Sequence, residues 1–139
     1  EIQQRRIDWK KDDPSEDAAP VIDKERFLEF QKVAENEIYV DKCIMNYIAK
    51  LVRKTRKTEG VEVGASPRGA LALLKLSRVL AMMNGRDFVT PDDVKFFVKE
   101  AISHRIILDM EYSLEGLTAD KVVERAVKEV SIPRGYEPG

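Results

Sequence analysis

The stretch PRGALALLKLSRVLAMM, about Pro67 to Met83, is apolar nearly all round a helical wheel. Leu71, Leu73, Leu74, Leu76, Val79, Leu80, Met82 and Met83 leave Lys75 and Arg78 to mark one narrow polar stripe. A helix of this kind has no broad face to offer water, so it is expected at the centre of a bundle, surrounded by the other helices. Ser66-Pro67 provides its start and Asn84-Gly85 its stop. The methionines read as core fillers rather than a cofactor box.

The neighbouring segments supply the surround. Asp23 can cap a first helix with Phe27, Phe30 and Ala34 on one face. A second helix, about Asp41 to Arg56, has Ile44, Tyr47, Ile48, Leu51 and Val52 at i, i+3, i+4, i+7 and i+8. A further helix from Pro91 to about Ser103 opens on Thr90 with Asp93 at the capping-box position and buries Val94, Phe97, Val98 and Ala101. The last, Thr118 to Val130, buries Val122, Val123, Ala126, Val127 and Val130. Residues 104–117 mix apolar and acidic residues without a clean period, and Val61 to Val63 is at most briefly extended. No alternation is long enough for a sheet. The expected fold is all-α, a four- to five-helix bundle over residues 21–139. Residues 1–20 are charge-dense, contain Pro14 and Pro20, and read as an irregular leader anchored by Ile7 and Trp9. The tail SIPRGYEPG reads as irregular.

Composition narrows the function classes. Hydrophobic residues make up 43% of the 139 and charged residues 35%, with a formal net charge of −1, so bulk charge points to neither nucleic acid nor an anionic membrane. Arg53, Lys54, Arg56 and Lys57 form a local basic run, a pattern that can contact nucleic acid but more commonly complements the negative end of a helix. The one cysteine, Cys43, permits no internal disulfide and fits a reducing, cytoplasmic setting. With one cysteine and one histidine, a His/Cys zinc site lacks ligands. No run approaches the roughly 18 apolar residues of a membrane span. His104 lies at a helix end beside Arg105 without a nucleophile elbow, so the two read as partners of helix-terminal carbonyls or as packing against the following segment rather than as part of a triad. Asp92-Asp93 belongs to a helix cap. GASPRG has the outline of a phosphate loop, but Ala70 and Leu71 stand where Lys and Ser/Thr are needed.

One constellation stands out. With Ser66 as N-cap and Pro67 at N1, Arg68 falls at N2, where a cation opposes the macrodipole by roughly 0.3–1 kcal/mol. Gly69 costs about another 1 kcal/mol relative to alanine. A guanidinium at the positive end of a helix describes an anion site, with Gly69 permitting the close approach of a ligand or a neighbouring backbone.

YIAKLVRKTR, then GASPRGALALLKLSRVLAMMNGRDFVTPDDVKFFVKEAISHRI, resembles the C-terminal lid of MoxR-type AAA+ ATPases. That family has a Y-I-x-x-L-V-x-x-T-R helix, then G-A-S-P-R-A, an Ala/Leu-rich helix ending in G-R, V-x-P-x-D-V and H-R-I. The likeness spans about residues 22 to 130; Gly69 stands where alanine is usual. The resemblance implies that Arg68 is the sensor-2 arginine reaching toward the γ-phosphate of ATP, with Ser66, Pro67 and Gly69 shaping the helix start. It implies that ATP and magnesium are held mainly by a P-loop core of the same polypeptide, with residues 1–20 as the linker from it. It also implies that the lid alone is not catalytically competent, lacking Walker A and Walker B. A ring of subunits, a chaperone-like remodelling or assembly role and von Willebrand A domain partners are further implications; nucleic acid and membrane insertion are not expected. Two readings stay open beside it: the lid of a chelatase- or helicase-type AAA+ branch, and a stand-alone helical interaction or DNA-binding module.

Overall fold

A computed structural model of the chain describes residues 18–134. Ile7, Trp9 and most of the expected leader, and the tail beyond Arg134, lie outside the described residues. The chain divides into two compact units between Phe30 and Gln31, within the first helix.

That helix, α1, runs from Lys24 to Asn36, and the Asp23 carboxylate accepts from Arg26 N (2.7 Å) as its cap. In the first unit Phe27 and Phe30 are exposed. The second unit holds the bundle: α2 (Lys42–Thr55), α3 (Pro67–Met83), α4 (Pro91–Ile102), the single-turn α5 (Met110–Leu114) and α6 (Ala119–Glu129). The apolar positions of α2 are buried as their spacing requires: Ile44, Tyr47, Ile48, Leu51 and Val52. They meet Leu73 of α3, Val94, Val98 and Ile102 of α4, and Val122, Val123 and Ala126 of α6 in one core.

Helix α3 is not enclosed as expected. Its fully buried residues are Gly69, Leu73, Ser77 and Ala81, a stripe at every fourth position. Leu71 stays 60% exposed and Met83 76%. Three of the four buried residues are small, so α4 packs close along this i±4 row, and burial concentrates there instead of spreading round the helix. Ser77 is accommodated because its hydroxyl donates to Leu73 O (2.8 Å). The stop signal works as read: Gly85 has φ +69, and Gly85 N and Arg86 N donate to Met82 O and Ala81 O, the paired bonds of a Schellman end.

A second difference is a small sheet. Strand β1 (Val61–Val63) pairs antiparallel with β2 (Ile107–Leu108), Val61 opposite Leu108 and Val63 opposite Ile107. Two- and three-residue strands are too short to show alternation. Tyr39 N donates to Asp87 O and Val89 N to Tyr39 O, tying the link before α2 to the link before α4.

Candidate functional site

The candidate site is the N-terminus of α3, and the chain fixes it from below. Thr55, the last residue of α2, is buried; its hydroxyl donates to Val52 O (2.8 Å) and accepts from Ala65 N (3.0 Å). Arg56 Nε donates to Ala65 O (2.8 Å). Both backbone groups of Ala65 are therefore held by two consecutive residues at the end of α2. A Cβ at Gly64 would lie 2.7 Å from Arg56 Cα and Arg56 N, so only glycine lets the loop lie so near that backbone. Sequence reasoning noted Thr55, Arg56, Gly64 and Ala65 as motif letters and missed that they close on one another.

From this clasp the chain enters α3 with Ser66 as N-cap in extended conformation (φ −86°, ψ 168°) and Pro67 in the first turn. The Ser66 hydroxyl makes no capping hydrogen bond, and no acidic residue occupies the first turn. The other caps differ. Thr90, Asp109 and Thr118 each accept a backbone N–H at the starts of α4, α5 and α6, and each of those first turns carries an acid. The start of α3 thus keeps its positive end uncompensated by side chains of its own.

Arg68 projects from this end and is exposed. Among the described residues no hydrogen bond or ion pair engages its guanidinium. Gly69 is buried and faces inward: a Cβ there would stand 3.3 Å from Ile102 Cγ2 and 3.4 Å from Arg105 Cδ. The close approach Gly69 permits here is that of α4's end. A methyl group fits with small adjustments, so alanine is a natural alternative at this position.

The remaining motif residues have structural work. His104 Nδ1 lies 3.1 Å from Glu100 O, and Arg105 Nε donates to Ala101 O (3.2 Å), so both meet terminal carbonyls of α4 as their position suggested. Ile106 is buried. Arg86 and Asp93, the G-R and D-V letters, form a two-point ion pair: Nη1 to Oδ2 at 2.8 Å and Nη2 to Oδ1 at 2.6 Å. Asp93 completes a capping box with Thr90. Burial pushes the Asp93 carboxyl up, but the Arg86 and Thr90 hydrogen bonds outweigh it and hold it below the ordinary carboxylate range. Burial, with the nearby Asp41 carboxylate, pushes the Cys43 thiol up, away from nucleophile character. Among the described residues no group of three His, Cys, Asp or Glu side chains is placed to hold a metal ion, and no helix is long and apolar enough to cross a membrane.

Residues 53–126 match the AAA lid domain family. The chain is 36% identical over 124 residues to the uncharacterized protein YeaC of Bacillus subtilis, covering 89% of this chain and 38% of that protein. It is 30% identical over 116 residues to Chaperone MoxR1 of Mycobacterium tuberculosis, covering 77% and 30%, and 36% identical over 69 residues to Protein MoxR of Methylorubrum extorquens, covering 50% and 20%. The chain spans less than two fifths of the length of these curated relatives. In fold it is similar to the crystal structure of a "putative ATPase" from Cytophaga hutchinsonii, with TM-score 0.66 at 24% identity over 84% of this chain and 45% of that one.

Proposed function

The chain belongs to the AAA lid domain family, in its MoxR-type branch, and on that premise we propose that it closes over ATP bound by a P-loop domain and supplies Arg68 as the sensor-2 arginine. The observation that carries this reading is the uncompensated start of α3. An exposed guanidinium, unpaired among the described residues, stands on a helix end whose first turn has no acid, and Thr55 and Arg56 hydrogen-bond the loop that feeds it. Its helix dipole and planar donor fork suit a phosphate. Leu71, one turn on, leaves an apolar side chain 60% exposed beside it, surface that a second domain would cover.

In this reading the chain's own contribution is positioning. Arg68 would donate to the γ-phosphate oxygens, with Ser66 and Pro67 setting the helix start and Gly69 seating it on α4. Magnesium and most of the nucleotide would be held by the P-loop core, in a ring of cytoplasmic subunits acting as a chaperone-like remodelling machine. Von Willebrand A domain partners belong to the same proposal.

The test is ATP turnover by the full-length protein carrying this chain. Arg68→Ala should lower the rate by about 2–4 kcal/mol of transition-state stabilisation, and Arg68→Lys should rescue it only in part, because a point charge does not reproduce the fork. Melting of each variant should match the parent. Turnover at the parent rate, or activity lost only with the fold, would refute the assignment.

A further inference from the structure

The C-terminal end of α2 carries more positive charge than its own helix uses. Lys50, Arg53, Lys54 and Lys57 recur at helical spacing and share one face. They line an open groove of about 380 Å³ whose other side is the end of α6, Glu129 to Ser131. Lys54 pairs with Glu129. Among the described residues, Lys50, Arg53 and Lys57 have no ion pair or side-chain hydrogen bond. Val130 and Ser131 also border a second hollow, which Lys128, Ile132 and Arg134 line. The first hollow is thus lined by four cations and one carboxylate, and the second adds Lys128 and Arg134, in a chain whose formal net charge is −1.

Helix capping does not account for these cations. The carbonyls of Val52, Arg53 and Lys54 near the end of α2 already have other donors. Arg56 N bonds Arg53 O and Lys54 O, Lys57 N and the Thr58 hydroxyl bond Lys54 O, and the Thr55 hydroxyl bonds Val52 O. Lys50 stands upstream of the last turn, where the dipole's influence has faded.

We propose that this groove docks an acidic peptide segment of a partner protein. Its carboxylates would face Lys50, Arg53 and Lys57, and an apolar side chain would rest on Val130 and Ile132, the latter 50% exposed. Charge complementarity selects an acidic partner. The lining favours peptide over nucleic acid: among the described residues it offers no aromatic ring on which a base could stack. Its aliphatic side chains have no counterpart in a phosphate backbone.

The experiment uses the full-length protein and fluorescence anisotropy with three labelled probes of similar length: a Glu-rich peptide with interspersed Leu, a Lys-rich peptide with interspersed Leu, and oligo-dT. The Glu/Leu peptide should bind, and binding should weaken as salt rises. The triple variant Lys50→Glu, Arg53→Glu, Lys57→Glu should weaken it at least about tenfold. If charge reversal lowers the melting temperature, the Gln version of the triple variant replaces it and should show the same direction. Replacing Leu by Ser in the peptide should weaken binding again. The proposal is overturned if the Glu/Leu peptide does not bind, if it binds no better than the Lys/Leu peptide, or if the triple variant binds it as the parent does. Tighter binding of oligo-dT than of the peptide would overturn it in favour of nucleic acid.

Discussion

Changing Asp93 to alanine should unfold the lid more readily than any other single change to a charged residue on α4. The carboxylate accepts two bonds from Arg86, one from Thr90 N and one from the Thr90 hydroxyl, each at 2.6–2.8 Å. The Asp93 side chain is 4% exposed and that of Arg86 27%. Removing one partner of a buried pair costs about 3–5 kcal/mol. Arg86 keeps some water and a bond to Phe88 O (3.0 Å), which puts the loss near the low end, about 3 kcal/mol. Loss of the capping box adds about 1 kcal/mol. Arg86→Ala should cost about 3–4 kcal/mol, since it leaves the more buried carboxylate with only its Thr90 bonds, and the double variant should cost clearly less than the sum. The carboxyl is held below its ordinary value, so its contribution is fully present above the unfolded pKa of about 3.9 and is lost as pH falls through the lower native value. Asp93→Asn should therefore flatten the acid limb of the stability curve. Urea unfolding followed by circular dichroism, at neutral pH and along an acid series, measures all of this. A loss under about 1 kcal/mol for Asp93→Ala, or additive single variants, would refute the assignment of these two residues to the fold.

Other changes test the clasp beneath α3. Thr55→Val should leave the buried Ala65 N–H without its acceptor and cost about 1–3 kcal/mol in urea unfolding. Gly64→Ala should cost about 1–3 kcal/mol or more, because its methyl would collide with the Arg56 backbone. Gly69→Ala should lie within about 1 kcal/mol of the parent, since contacts of 3.3 and 3.4 Å offset a gain of about 1 kcal/mol in helix propensity. Equal costs at the two glycines would contradict the geometry.

Local signals were legible in the sequence wherever one helix contains its own evidence. The spacing of Ile44, Tyr47, Ile48, Leu51 and Val52 specified the buried face of α2. Thr90 with Asp93, and Asn84 with Gly85, marked real helix ends. Burial of α3 was misjudged because apolar count does not say which side a neighbour approaches. The approach is set by small residues, Gly69, Ser77 and Ala81, which a hydropathy pattern undervalues. Partnerships across the chain were hidden as well. Thr55 with Ala65, Arg86 with Asp93, and β1 with β2 across more than forty residues depend on the assembled fold. For the candidate site, the sequence showed an ill-placed cation, Arg68. The structure adds that it is exposed and, among the described residues, unpaired, and that Gly69 beside it packs against the end of α4.

The most direct measurement is the affinity of the full-length protein for ATP and for ADP, each in the presence of magnesium, before and after Arg68→Ala. A contact to the γ-phosphate exists only with ATP. The proposed sensor role therefore predicts that the variant loses about tenfold or more in ATP affinity, the worth of one charge-assisted contact, while ADP binds as in the parent. Equal losses for both nucleotides, or no loss for either, would contradict it.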